Sequence, residues 1–174
     1  MSATPTIELT LPTAAHAAQV MAARDALLAD GVADGTAGLP SCATYAEWLD
    51  FEGRGRRDYG DGYVPSTTWL ATLPDGTVVG FLDLRHRLSD HLLRVGGHVG
   101  YSVLPEHRRH GYATAMLAAA KTAARAMGLP RLLLTCHDGN LASERTILAN
   151  GGVLENVVDD GDGGRVKRFW IDLA

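Results

Sequence analysis

Two rhythms of hydrophobic and polar positions, of period two and of period three to four, divide the chain into strands and helices. Thr6–Leu11 alternates as a short strand and is stopped by Pro12. Thr13–Asp30 reads as a helix, with Thr13 able to cap its start, Val20, Leu27 and Leu28 near one face, and Gly31 closing it. A second helix is expected around Thr44–Phe51, followed by an exposed Gly- and charge-rich loop over Gly53–Gly62. Thr67–Leu73 and Thr77–Leu88 are expected as strands of one hairpin. Its turn is Pro74-Asp75-Gly76, where Pro presets φ and Gly accepts φ > 0. Val95–Val103 predicts another strand, interrupted by Gly96, Gly97 and Gly100. In Gly111–Met127 the stripe Met116, Ala120, Ala123, Met127 has helical spacing, and Gly128 and Pro130 end it. Arg131–Thr135 is a short, mostly apolar strand of the kind found inside a sheet. Leu141–Ala149 reads as a helix capped by Asn140 and ended by Asn150-Gly151-Gly152. Strands near Val153–Val158 and Val166–Leu173, joined by a Gly/Asp turn at 159–164, finish the chain.

The resulting order, β-α-(α)-β-β-β-α-β-α-β-β, sets antiparallel hairpins before a β-α-β-α unit. It predicts an α/β fold of α+β type, a mixed, mainly antiparallel sheet with helices on both faces. Ligands of such sheets sit where strands splay near a helix N-terminus. At 174 residues, 46% hydrophobic and 21% charged, the chain suits a single domain over 1–174. A net charge of −4 and 6% aromatic residues argue against nucleic-acid and membrane-surface binding. Cys42 and Cys136 are too few for a disulfide framework and lack C-x-x-C spacing, so reduced thiols and no metal are expected. No basic leader or bilayer-length apolar run is seen, and the expected location is the cytoplasm.

The segment that carries chemistry is Val103-Leu104-Pro105-Glu106-His107-Arg108-Arg109-His110-Gly111-Tyr112-Ala113. A strand ends, a basic turn follows and a helix starts at once. Orphan N–H groups and the helix dipole make such a junction an anion site, and Gly111 lets the backbone approach the ligand. Residues 106–131 hold five basic residues (Arg108, Arg109, Lys121, Arg125, Arg131) against one acid, Glu106. Neither G-x-x-x-x-G-K-[ST] nor G-x-G-x-x-G occurs, which speaks against nucleotide hydrolysis and a dinucleotide fold.

Arg108-x-x-Gly111-x-Ala113 after Val103-Leu104-Pro105 resembles the R/Q-x-x-G-x-G/A signature of the GNAT superfamily of N-acyltransferases. Further motifs are similar to a subgroup of predicted acetyltransferases: Val64-Pro65-Ser66, Arg85-His86-Arg87-Leu88, Gly96 to Tyr101, and Arg168 to Ile171. The resemblance covers residues 60–174 and extends to 1–60 only by element order. It implies a V-shaped gap between the strands ending at Val103 and Thr135. It also implies acetyl-CoA as cosubstrate, with pantetheine near Tyr101 to Val103 and pyrophosphate on the amides of Arg108, Arg109, His110, Gly111, Tyr112, Ala113 and Thr114. Asn140 and Ser143 would face the pantetheine or thioester end. The acceptor would be a small-molecule amine or an amino group, and a homodimer is a further expectation.

By the same resemblance, an amine attacks the thioester directly, with the Val103 amide as oxyanion donor. The family's usual acid, a Tyr seven residues after the motif Asn, is here Ile147. Ser143 through water, Tyr112, or no dedicated acid would replace it. His98 and His86 are candidate bases because imidazole titrates near neutrality. Tyr63, Tyr101, Arg85 and His86 are expected at the acceptor side, with Arg85 suited to a carboxylate. Cys136 and His137, adjacent in a strand, point to opposite faces and cannot pair as nucleophile and base. Trp69 and Trp170 are expected to pack on the sheet, and the acidic stretch Glu155, Asp159, Asp160, Asp162 to be solvated or to attract a cationic acceptor. The alternative is a non-catalytic acyl-CoA-binding module. A tRNA-acetylating activity fits the net charge poorly.

Overall fold

The computed structural model describes residues 5–32, 36–55 and 64–173, with side chains of 53–55 excepted. The strands are β1 (Glu8–Thr10), β2 (Ser66–Thr72), β3 (Val78–Arg85), β4 (Val99–Val103), β5 (Arg131–His137), β6 (Val153–Asp159) and β7 (Arg165–Asp172). The helices are α1 (Ala17–Ala29), α2 (Tyr45–Gly55), α3 (Tyr112–Ala126) and α4 (Leu141–Ala149). Element order agrees with the sequence pattern, and short 3-10 turns precede α1, α2 and α3.

The strands form two antiparallel sheets, β1-β2-β3-β4 and β5-β7-β6. No ladder joins β4 to β5, so the sheet splays there, as expected. The two meet just before β4: the His98 N–H donates to the Leu133 carbonyl at 2.8 Å, and the Leu133 N–H donates to His98 Nδ1 at 2.9 Å. Gly97 sits at φ +65°, and a Cβ there would lie 2.7 Å from the Leu133 carbonyl, so only glycine lets the chain pass this close.

Helices α3 and α4 hold the two sheets together on one face. Met116, Leu117, Ala120 and Ala124 of α3 and Ile147 of α4 pack against Leu82 and Leu84 of the first sheet and Leu132, Leu134, Phe169 and Ile171 of the second. The alanines of α3 combine high helix propensity with close approach to the strands. A second core lies on the other face of the first sheet, where Val20, Leu27 and Trp48 of α1 and α2 cover Leu70, Phe81 and Leu104. Truncating a fully buried Leu or Met in either core costs about 2–5 kcal/mol.

Several boundaries differ from the sequence pattern for local reasons. β3 stops at Arg85 rather than Leu88, because the His86 N–H turns to the Pro65 carbonyl and Ser89 starts a helical turn by accepting from Leu92 and Leu93. That turn becomes π-helical over Leu92–Gly96, so β4 starts at Val99 and not Val95. β5 runs two residues past Thr135, and α2 extends to Gly55, which puts the start of the expected loop at Gly53 inside a helix. The rest of that loop over 56–62, and Tyr63, lie outside the described residues. Leu28 and Met127 are exposed at 48% and 42%, because each lies at a helix end where the apolar stripe has passed the core. Among the described residues no helix is long and apolar enough to cross a membrane.

Candidate functional site

The phase of the β3–β4 ladder decides what faces the gap. Arg85 N–H donates to the His98 carbonyl and Leu104 N–H to the Val79 carbonyl, so the His98 carbonyl and residues 100, 102 and 104 turn toward β3. By alternation, the backbone groups of Val99, Tyr101 and Val103 point the other way, toward β5. The Val103 carbonyl is held there by Arg108 Nε at 3.2 Å, while the Arg108 guanidinium also pairs with Asp30 at 2.6 Å.

At the open end of the gap the chain makes a tight turn into α3. Arg109 and Gly111 both take left-handed φ, +62° and +82°. Gly111 is the residue that opens α3, and no side chain caps the helix. The first helical bond runs from the Ala115 N–H to the Gly111 carbonyl, so the amides of Gly111, Tyr112, Ala113 and Thr114 have no partner within the helix. Left-handed residues flanking a helix start gather such amides into an anion-binding concavity. Exposed Arg109 and His110 flank it. The local basic excess disperses, however: Lys121 donates to the Asn150 carbonyl, Arg125 to the Leu173 carbonyl, and Arg131 stacks 4.0 Å over Trp170. Those three lie along or beyond α3, out of reach of its first turn.

α4 is finished differently at its start. Asn140 Oδ1 accepts the Ser143 N–H at 3.1 Å, capping the helix. The Ser143 hydroxyl lies 2.9 Å from the Tyr101 hydroxyl, which bridges the gap from β4 to α4. Burial pushes the Tyr101 phenol above its ordinary pKa, so it stays protonated and can donate at neutral pH. Ile147 is fully buried in the core, so no side chain reaches the gap from that position.

Sequence reasoning named the histidines and Arg85 for chemistry, and the structure gives each of His98, His86 and Arg85 a hydrogen-bond partner within the fold. His98 Nδ1 is held by the Leu133 amide, and burial, with Arg85 and Arg131 nearby, lowers its pKa to about 4. A ring with that lone pair engaged and that pKa is a poor base at neutrality. His86 Nε2 pairs with Thr67 Oγ1 at 2.9 Å. His86 is four residues along β3 from Leu82, the partner of Tyr101, or about 14 Å away. Arg85 Nη1 donates to the Gly96 and Gly97 carbonyls at 3.1 Å each, pinning the turn before β4 instead of standing free for a carboxylate. Cys136 is buried and His137 exposed on opposite faces of β5, and burial raises the Cys136 thiol pKa, so it is not a thiolate nucleophile.

Two residues were missed. Asp83 lies buried in β3, where Thr68 Oγ1 donates to its Oδ1 at 3.1 Å and Arg85 Nε pairs with its Oδ2 at 3.5 Å. Ser102 is buried on the same face, with no partner for its Oγ among the described residues. A lone carboxylate within Val-Val-Gly-Phe-Leu-Asp-Leu was the signal available for Asp83. A separate cleft of about 390 Å³, lined by Arg131, Val153, Leu154, Glu155 and Trp170 among others, lies at the opposite end of β5 from the gap mouth.

Comparison with known proteins agrees with this geometry. The model of the acetyltransferase (GNAT) family matches residues 36–151. No curated protein sequence matches the chain. The fold is similar to that of yncA of Salmonella typhimurium, assigned as an acetyltransferase and solved with its cofactor acetyl-CoA: 19% identity, 97% of this chain and 94% of that chain, TM-score 0.64. A protein of Vibrio cholerae assigned as a ribosomal-protein-serine acetyltransferase is similar at 18% identity, 98% and 95% coverage, TM-score 0.61. Spermidine N-acetyltransferase of Vibrio cholerae, solved with CoA and spermine, is similar at 13% identity, 96% and 95% coverage, TM-score 0.64.

Proposed function

The chain belongs to the acetyltransferase (GNAT) family, and from that premise we propose that it transfers an acetyl group from acetyl-CoA to an amine by direct attack in a ternary complex. The observation that carries this reading is the uncapped, left-handed entry into α3 at the mouth of the β4–β5 gap. Its free amides suit a pyrophosphate. Pantetheine would then lie along the edge of Val99, Tyr101 and Val103, whose N–H and C=O groups have no strand beside them. The Val103 amide is the donor for the oxyanion of the tetrahedral intermediate.

Tyr101 takes the role of acid. Its phenol is protonated, and its bond to Ser143 holds it at the first turn of α4. It gives its proton to the departing CoA thiolate and regains one from solvent through Ser143. A thiol of pKa about 8.5 leaves with modest help, so this step is worth less than the deprotonation of the amine. An amine of pKa about 10.4 costs roughly 4–5 kcal/mol to bring to its free-base form at pH 7. With His98 engaged and His86 distant, that proton leaves to water. The rate therefore rises with pH toward the pKa of the amine with no break near 6.5, and His86→Ala leaves the profile unchanged. The binding-only alternative drew on Ile147, and has less support with the Tyr101 phenol standing at α4.

The test is acetyl-CoA with a panel of amines, following thiol release, together with calorimetry of CoA. Turnover on any amine with CoA binding upholds the proposal. CoA binding without turnover on any acceptor favours the binding module, and neither binding nor turnover rejects both.

A further inference from the structure

We propose that the cleft at the start of β5, between Arg131, Trp170 and Asp172, binds a small apolar α-amino acid, with its carboxylate on Arg131 and its ammonium on Asp172. The site is separate from the transferase gap, and its ligand is not the acyl acceptor. Thr135, at the gap end of the strand, is four residues or about 13 Å from Arg131.

Register places the cleft on the face of the second sheet that α3 and α4 leave open. Arg131 pairs with Asp172, Leu133 with Trp170 and Val153 with Trp170, so these side chains share one face. Their strand neighbours Leu132, Leu134, Phe169 and Ile171 fill the core on the other. The turn before β4 covers the middle of the open face, where Leu133 is fully buried and Arg168 donates to the Leu93 carbonyl. Beyond it Arg131, Val153 and Asp172 are exposed, and with Leu154 and Trp170 they line a cleft of about 390 Å³. That volume lies within the range of small-molecule sites.

The charges in this cleft suit a ligand that carries both signs. Arg131 and Asp172 face each other across the ladder, where opposite charges normally attract. Instead the Arg131 guanidinium lies 4.0 Å over the Trp170 ring. Among the described residues neither the Arg131 nor the Asp172 side chain has a hydrogen bond or an ion pair. Glu155, the other acid at the cleft, is held by Arg168 at 2.7 Å. A stacked guanidinium keeps its N–H edge free for a carboxylate, which it grips with two parallel bonds. The Asp172 carboxylate accepts from an ammonium. An anion alone would meet the charges of Asp172 and Glu155, and a cation alone would meet Arg131. A zwitterion satisfies both. Val153, 70% exposed, and Leu154, 48% exposed, offer apolar surface to its side chain.

The test is ligand-observed NMR and calorimetry of leucine on the full chain. Three analogues each lack one feature: leucinamide the carboxylate, 4-methylpentanoate the ammonium, and glycine the apolar side chain. We expect leucine to bind with a Kd of about 1 mM or below, and each analogue about tenfold or more weakly. Arg131→Gln should make leucine and leucinamide equal. Asp172→Asn should make leucine and 4-methylpentanoate equal. Lost packing would not give this crossed pattern, and unchanged melting temperatures would show both variants folded. Should Arg131→Gln fail to fold, Asp172→Asn and the order of the analogues on wild type decide. No binding of leucine overturns the proposal. So does binding that is equal in wild type and both variants, which would put leucine elsewhere on the chain, the acceptor side of the gap included. Weaker binding in a variant without the matching loss of preference overturns it too. The readout is binding alone, so the outcome is independent of whether the chain releases thiol from acetyl-CoA.

Discussion

The two ends of the β4–β5 gap are built from the same kinds of backbone group and treat them in opposite ways. At the closed end the His98 amide, the His98 ring, the Leu133 amide and carbonyl, and the carbonyls of Gly96 and Gly97 all have protein partners. At the open end the α3 amides have none within the helix, and the Val103 amide faces a gap with no strand in it. The neighbouring helix sharpens the contrast, because α4 is closed by its own Asn140 side chain. Backbone polar groups left unpaired within a folded chain are costly unless water or a ligand meets them. Their concentration at one end of one gap is therefore a stronger pointer to function than the charge of the surrounding side chains.

The largest test of this contrast acts on the closed end. The His98 pKa is depressed from 6.5 to about 4, so the unfolded chain binds more protons between those values and stability falls as pH falls through that window. The full shift corresponds to roughly 3 kcal/mol, an upper bound. Denaturant unfolding from pH 7 to pH 4 should show this loss, and His98→Asn, whose Oδ1 can accept the Leu133 amide without titrating, should flatten it. Retained activity at pH 8 in that variant would separate clasp from base.

The next effect acts on the open end. Gly111→Val puts a branched side chain at φ +82° with its Cβ 3.3 Å from Pro5 Cδ. The left-handed strain alone is about 1–2 kcal/mol, and displaced amides add to it. CoA affinity by calorimetry should drop about 100-fold, or ~2.7 kcal/mol. A loss under threefold would detach the α3 entry from ligand binding. Smaller again, Tyr101→Phe should lower kcat about 10–30-fold, below the usual range for general acids because the thiolate is a good leaving group. CoA affinity should stay within threefold. Last, Asn140→Ala should cost about 1 kcal/mol of stability, the usual value of a cap, with CoA affinity within twofold. An equal effect on CoA binding from Asn140→Ala and Gly111→Val would erase the contrast between the two helix starts.

Legibility in the sequence followed the range of each interaction. The Asn140 cap, the Pro74-Asp75-Gly76 turn and the strand–turn–helix at Val103–Ala113 depend on residues within a few positions of one another, and they read correctly. Boundaries such as the start of β4 failed where a π-helical turn and the passage of Gly97 past Leu133 displaced the strand. The surroundings of single side chains were the least legible. His98 reads as a base because its pKa is ordinarily near neutral, and the engagement of its Nδ1 by the Leu133 amide, 35 positions away, is visible only in the fold.

By itself the sequence determined the order of elements, the hairpins, the anion-suited entry into α3 and the family. Each is written in local spacing, where propensity, capping and turn chemistry act. Tertiary structure alone decided that Tyr101 meets Ser143 across 42 positions, that Arg108 pairs with Asp30 across 78, and that Lys121, Arg125 and Arg131 turn away from the ligand site. It also decided that Asp83 and Ser102 share one buried face. These pairings depend on strand register and on which face each helix covers, and both are set by the packing of two cores rather than by any short stretch of chain.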